Sequence, residues 1–221
     1  MEFELLAFGL ITGFTSGFFG IGGGSILIPM LLVAGFAMKE AVAISIMQMV
    51  FSSIYGSFLN SKKIKGLFRD GIIVGVGASV GGLFSGYFLP SIPDIYLQYL
   101  FIAVLIYTIY TLFKAPASQE VIQEDKNIFL LAFIGFCVGI FAMSIGIGGS
   151  LMLLPILVQF LKYDLKVATA LGLFFVIFSS IGGFISTSLY GNMLYYEGAI
   201  IGIGFFFGVY FGIKIKEKTK S

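Results

Sequence analysis

The sequence of 221 residues has no histidine and a single cysteine, Cys137, within an apolar segment. The absence of histidine excludes His-ligated metals, haem with a histidine axial ligand and every catalytic triad that depends on histidine. One cysteine cannot form an internal disulfide. We therefore predict a protein without a cofactor or a bound metal.

Charged side chains are also scarce, at 11% of the chain, whereas a soluble domain carries roughly 25%. Six stretches contain no Asp, Glu, Lys or Arg: 41–61, 71–93, 95–113, 128–161, 167–196 and 198–213. Crossing the hydrocarbon takes about 20 apolar residues, and one charge at its centre costs at least ~2.5 kcal/mol. The pattern predicts an all-α, polytopic helical bundle in the lipid bilayer. The net charge of +2 comes largely from the C-terminal end and gives no reason to expect a nucleic-acid partner.

The chain also repeats itself. Residues 9–32 align with 135–158 at an offset of 126, and matches continue at an offset of 127. The shared residues form a glycine and proline skeleton and include the tetrapeptide FSSI. We predict a first repeat at 1–113, a polar cytoplasmic linker at 114–127, and a second repeat at 128–221 that lacks the last helix.

Each repeat opens with a segment that ends in a glycine cluster, followed by an apolar piece of about 12 residues, at 25–36 and 150–161. At ~1.5 Å per residue such a piece reaches about 18 Å, roughly half the hydrocarbon thickness. This length predicts a broken-helix, re-entrant hairpin in each repeat. Full helices are predicted at 40–58, 71–89, 95–113, 165–188 and 198–213.

Basic residues orient the chain. Loop 59–70 holds four of them, whereas the equivalent loop 186–197 holds none. The positive-inside rule places the first loop in the cytoplasm. Alternating the helices from there puts the N-terminus outside and the lysine-rich C-terminus inside. All basic clusters fall on one side only if the repeats are inverted, as in many secondary transporters.

The glycine clusters are the strongest candidate site. Glycine lets the backbone leave the helical region, and the first turn of the next helix offers unpaired N–H groups at its positive dipole end. Such a break survives at membrane depth only in a protein interior or a water-filled cavity. The residues predicted to bind an anion are Gly22, Gly23, Gly24 and Ser25 in the first cluster and Gly148, Gly149 and Ser150 in the second, with Pro29 and Pro155 kinking the helices that follow.

Close helix packing is the other role of glycine in membranes. We assign it to the glycines of the full helices: Gly75, Gly77, Gly81, Gly82, Gly86, Gly198, Gly202, Gly204, Gly208 and Gly212.

Polar side chains within the apolar segments could complete the site. Gln48 is the one amide well inside a full span, and its counterpart in the second repeat is Phe175. The pairs Ser52–Ser53 and Ser179–Ser180 recur in both repeats. Serine in a membrane helix commonly bonds its own backbone, so a structural role stays open beside ligand binding. The same holds for Thr15, Ser16 and Ser144. Lys39 and Lys166 either attract anions to the two mouths or extend towards the interface.

The stretches GFFGIGGGSILIPML and AMSIGIGGSLMLLPIL resemble those of the TauE/SafE family of sulfite exporters and toluene-sulfonate uptake permeases, and the resemblance covers essentially the whole chain. It implies transport of sulfite, sulfonates or related small anions across the bacterial inner membrane. It carries over onto Gly22, Gly23, Gly24, Gly148, Gly149 and the two prolines.

This chain departs from the family pattern at Ser150, where the first cluster has Gly24, and in the helix equivalent to 95–113, which the second repeat lacks. Either a partner protomer supplies that helix in a homo-oligomer, or the short form does without it.

Four functions compete. A transporter of small sulfur-containing anions ranks first, and a passive anion channel is the alternative, since the same helix breaks could line a pore. A membrane enzyme is disfavoured because no carboxylate lies within any span to act in general acid–base catalysis. A structural subunit would leave the duplicated glycine breaks unexplained.

Overall fold

The computed structural model describes residues 2–19, 23–60, 68–114, 127–191 and 193–219, and within these ranges it is helical with no strand. The helices are α1 Glu2–Phe19, α2 Gly24–Val33, α3 Met38–Asn60, α4 Phe68–Phe88, α5 Asp94–Lys114, α6 Ile128–Ser144, α7 Ser150–Pro155, α8 Leu165–Tyr190 and α9 Tyr195–Thr219. A 3-10 turn, Leu89–Ser91, follows α4, and a π turn, Ile156–Phe160, follows α7.

The chain is an all-α polytopic membrane protein. Within the described ranges, four segments are long and apolar enough to cross a membrane: Phe68–Ser91, Asp94–Thr111, Val167–Tyr190 and Tyr195–Lys216. Large apolar side chains point outward along α5 and α9, among them Ile102, Ile106, Phe207 and Phe211. Such a continuous apolar exterior is typical of a surface that contacts lipid.

Each hairpin contains the predicted short helix. α2 has ten residues, whereas α7 has six and continues into the five-residue π turn. Pro155 is the last residue of α7, where its missing N–H interrupts the α-helical hydrogen bonds and the π turn begins. Pro29, by contrast, lies inside α2 without ending it. Equivalent prolines therefore have different effects on the two short helices.

Glycines bring the long helices into backbone contact across the repeats. α1 packs against α9, and a Cβ atom built on Gly13 would lie well under 3.0 Å from the carbonyl oxygen of Phe205. The equivalent pair, α6 and α4, packs in the same way, with Gly139 against Ala78. The packing role predicted for the glycines of the full helices agrees with these contacts: Gly81 lies against Phe136, Gly204 against Leu6 and Gly208 against Leu10.

The helix directions are those that inverted repeats require. Along α1 and α9, Gly9 contacts Ile201 and Gly17 contacts Val209, so these helices run parallel. The glycines of α4 contact α6 and α8 in the same order along the chain, so α4 runs parallel to both helices. The start of α3 lines one cavity together with the end of α8 and the turn that follows α4. α3 is therefore antiparallel to both α4 and α8. The equivalent helices α3 and α8 therefore point in opposite directions.

The helix ends reach beyond the predicted apolar spans. α9 begins at Tyr195 and continues to Thr219, whereas the charge-free stretch predicted 198–213. A helix continues where its backbone hydrogen bonds continue, and Lys214 and Lys216 can remain helical outside the hydrocarbon. The linker boundaries stay a prediction, because residues 115–126 lie outside the described ranges.

Candidate functional site

The two glycine clusters meet in the protein interior. A Cβ atom built on Gly24, the first residue of α2, would lie well under 3.0 Å from the carbonyl oxygen of Gly146. The same carbonyl accepts a 2.8 Å hydrogen bond from the buried Ser45 hydroxyl of α3. The structure therefore brings the first turn of α2, the second cluster and α3 together at one place.

The second cluster is a tight turn with a left-handed backbone. Gly146, Gly148 and Gly149 have φ values of +67°, +86° and +62°, a region that favours glycine. The Ser150 N–H donates to the Gly148 carbonyl at 2.7 Å. That amide, which was predicted to face an anion, is used within the loop. The Phe175 ring of α8 lies directly against Gly149 and closes this side.

The first cluster, unlike the second, lies beside a polar side chain. Gly23 is the N-cap of α2 with a φ of −60°, and its carbonyl accepts from the N–H groups of Ile26 and Leu27 at 3.3 and 3.0 Å. A Cβ atom on Gly23 would lie 2.5 Å from Nε2 of Gln48. Ser25 is buried in the first turn of α2. Gly22 lies outside the described residues, as do Gly20 and Ile21.

Gln48 is the unusual group of this site. Its side chain is fully buried, and among the residues that the structure describes neither Nε2 nor Oε1 has a hydrogen-bond partner. A buried, unsatisfied polar group typically costs about 1–3 kcal/mol. At the equivalent position of the second repeat stands Phe175, also fully buried. Equivalent positions thus present an amide to Gly23 and an aromatic ring to Gly149.

All four serines of the predicted pairs bond to their own helices. Ser53 donates to the Val50 carbonyl at 2.9 Å and Ser180 to the Ile177 carbonyl at 3.1 Å, and the hydroxyl oxygens of these two equivalent residues lie 3.4 Å apart. Ser52 donates to the Met49 carbonyl of its own helix at 2.9 Å. Ser179 has the same local contact with Val176, at 3.4 Å. The four serines therefore make the own-helix bonds expected of a structural role, and Ser53 and Ser180 additionally meet across the two repeats.

Two other predicted polar residues also bond their own helices. Thr15 donates to the carbonyl of Ile11, and Ser144 donates to that of Ile140. Ser45 was not predicted, although it lies three residues before Gln48 and therefore on the same helix face. That spacing could have indicated it.

Lys39, one of the two lysines predicted either to attract anions or to extend towards the interface, lines a cavity of about 270 Å³. Its ammonium group donates to the Pro90 carbonyl at 2.9 Å and lies 3.8 Å from the Asp94 carboxylate. Thr187 also lines this cavity, and its buried hydroxyl has no partner among the described residues. The Lys166 side chain is not among those described.

The surroundings of Gln48 carry little formal charge. α2 and α7 contain no Asp, Glu, Lys or Arg, and those of α3 are Lys39 and Glu40 at its start. An anion at this depth would have to be held by N–H groups, hydroxyls, the Gln48 amide and the positive end of α2.

Comparison with known proteins adds independent information. The family model described as sulfite exporter TauE/SafE matches residues 5–221. The probable membrane transporter protein MJ0441 of Methanocaldococcus jannaschii is 30% identical, the alignment covering 93% of this chain and 80% of that protein. The probable membrane transporter protein YunE of Bacillus subtilis is 22% identical, with 98% and 89% covered. No solved structure matches significantly.

Proposed function

The chain belongs to the TauE/SafE family of membrane transporters, and we propose that it carries small sulfur-containing anions, such as sulfite or a small sulfonate, across the membrane. The observation that carries this proposal is the fully buried Gln48 amide beside Gly23, the N-cap of α2. A polar group without a protein partner at this depth is costly unless a ligand uses it. The family description, which names sulfite export, supplies the substrate class.

The electrostatics of the site favour a small monoanion. A helix N-terminus provides the equivalent of roughly half an elementary charge. No basic side chain lies within α2 or α7 to add to it. Such a site compensates one negative charge better than two, and the same dipole repels cations. We therefore expect anion flux that does not depend on the accompanying cation.

A carrier fits the geometry better than a passive channel. An open pore would expose its polar lining to water, whereas Gln48 has no exposed surface. Binding at Gln48 therefore requires helices to move, and a bound anion is released only after a further movement. That sequence of steps gives saturable flux.

Proteoliposomes containing the purified chain would test the proposal. Uptake of radiolabelled sulfite should saturate with concentration and should be unchanged when sodium is replaced by potassium. Thiosulfate and methanesulfonate would be tested as competitors. Cation flux without anion dependence would overturn the proposal, and anion flux that rises linearly without saturation would favour the channel.

A pair of glycine variants would locate the transport site. The Gly23→Ala methyl group would lie 2.5 Å from Nε2 of Gln48 and 2.5 Å from a ring carbon of Phe205, although the backbone conformation at Gly23 suits alanine. We expect at least about a tenfold loss of sulfite uptake, with the protein still inserted and folded. The matched control is Gly183→Ala, whose methyl group would lie 2.9 Å from the Met143 sulfur atom, outside the glycine clusters, and which should keep the wild-type uptake. Normal uptake by Gly23→Ala would place the substrate elsewhere.

The proposal includes a location and an orientation. We place the chain in the bacterial inner membrane with its N-terminus outside and its C-terminus in the cytoplasm. The support is the distribution of lysine and arginine, which are concentrated in loop 59–70 and after residue 213.

A further inference from the structure

The Gln48 amide constrains the ligand more narrowly than charge does. A carboxamide has two N–H donors on Nε2 and an acceptor on Oε1. Neither atom is paired within the described ranges, and the side chain is fully buried. A ligand that contacts Gln48 must therefore satisfy an acceptor as well as a donor, whichever way the amide is turned.

Among the described residues, no neighbour of Gln48 supplies the missing donor. Gly23 lies beside Nε2, and the Phe205 ring lies against the same glycine. The nearby Ser45 hydroxyl already donates to the Gly146 carbonyl. On the opposite repeat the equivalent group is the Phe175 ring, which offers no hydrogen bond. Since no described residue donates to Oε1, we expect the ligand to supply this donor.

The N-terminus of α2 creates the opposite requirement. N–H groups at a helix N-terminus are donors only and are suited to the oxygen atoms of an anion, although those of Ile26 and Leu27 already donate to the Gly23 carbonyl. An oxyanion without hydrogen could satisfy these groups and Nε2, but its oxygens would face Oε1 with like partial charge. An oxyanion with one O–H or N–H group satisfies both parts of the site.

We infer that the anion bound at Gln48 carries a hydrogen-bond donor of its own, as a monoprotonated oxyanion such as hydrogensulfite does. This inference rests on the proposed function and restricts its substrate class. Sulfite as a dianion, and monoanions that carry only acceptors, should bind poorly. Gln48 is then a residue that determines specificity, and Phe175 prevents the second repeat from forming an equivalent contact.

A matched pair of anions tests the inference. Hydrogensulfite, HO–SO2⁻, and methanesulfinate, CH3–SO2⁻, have the same charge and nearly the same shape, but the second has a methyl group in place of the hydroxyl. Both would compete with labelled sulfite for the purified full chain in proteoliposomes at mildly acidic pH. We expect methanesulfinate to bind at least about tenfold more weakly, because it leaves a buried acceptor unpaired.

A variant then assigns the preference to Gln48. Gln48→Met keeps the length of the side chain and removes both polar atoms, so the two anions should compete about equally. Gln98→Met on α5, a half-buried glutamine outside the site, is the matched control and should keep the wild-type preference.

Each outcome has one interpretation. Equal competition by the two anions in the wild-type protein overturns the inference and leaves the proposed function standing. A wild-type preference that persists in Gln48→Met also overturns it. Absence of any sulfite binding or uptake by the wild-type protein overturns both. Loss of binding of both anions in Gln48→Met, after a clear wild-type preference, supports the inference because it places the ligand at Gln48.

Discussion

Replacing Gln48 with methionine should make the protein more stable when no anion is present. Evolution commonly retains a buried polar group for function at the expense of stability. Gln48 is fully buried without a partner among the described residues, and its neighbours include the apolar ring of Phe205. Methionine has a similar length and adapts to irregular apolar surroundings. The substitution therefore removes the desolvation penalty and creates no large cavity.

The size of the effect follows from the two unpaired atoms. Leaving a buried polar group unsatisfied costs about 1–3 kcal/mol. For a chain of 150–250 residues, 1 kcal/mol corresponds to roughly 2–4 °C in the unfolding midpoint. We expect Gln48→Met to raise the midpoint by about 2–12 °C, measured on the purified protein in detergent without added anion.

Ser45→Ala is the matched control, because Ser45 is an equally buried polar residue on the same face of α3. Its hydroxyl donates to the Gly146 carbonyl at 2.8 Å, so alanine leaves that acceptor unpaired. We expect a decrease of about 1 kcal/mol or more, opposite in sign to the effect at Gln48. If Gln48→Met lowers the midpoint as Ser45→Ala does, the Gln48 amide is paired in the resting protein and is not available to a ligand.

Two further predictions concern the periphery. Burial, followed by the hydrogen bond to Asp70, raises the pKa of Tyr163 above its ordinary value, so the folded state holds this proton while the unfolded state releases it above about pH 10. The free energy of unfolding should therefore decrease as the pH rises above about 10. The free energy of unfolding of Tyr163→Phe should decrease less steeply between pH 8 and pH 11. Identical slopes for the two proteins would show that Tyr163 does not contribute. For topology, single cysteines at Ser61 and Asn192 in a Cys137→Ser background should react with an impermeant thiol reagent from opposite sides. Labelling of both from one side would contradict the inverted orientation.

Most of the fold could be predicted from the sequence, because in a membrane the positions of charges limit where helices can lie. The charge-free stretches predicted the long helices to within a few residues, as in α8, predicted at 165–188 and found at Leu165–Tyr190. The packing glycines were predictable for a related reason, since a helix surface without side chains is useful only where another backbone approaches. Gly81 and Gly208 lie at such contacts.

The site was less predictable, because its properties depend on contacts between distant parts of the chain. The repeat alignment shows that Phe175 stands where the first repeat has Gln48, but it does not show that Gln48 contacts Gly23. The bond from Ser45 to the Gly146 carbonyl joins residues 101 positions apart, and no local pattern indicates it. Nor could the sequence reveal that the Ser150 amide bonds to Gly148, because this depends on the left-handed backbone of the turn.

The two halves of the site have diverged in a way that bears on the transport cycle. In an inverted repeat, exchanging the conformations of the halves converts an outward-facing form into an inward-facing one. Identical halves would give the two forms equal free energy. Here one half places the Gln48 amide, which has no partner among the described residues, against the N-cap Gly23. The other half places Phe175 against a left-handed glycine turn, and the helix after that turn is followed by a π turn. We therefore expect the two forms to differ in free energy, and an anion that pairs with Gln48 would change that difference by the amount its contacts differ between them.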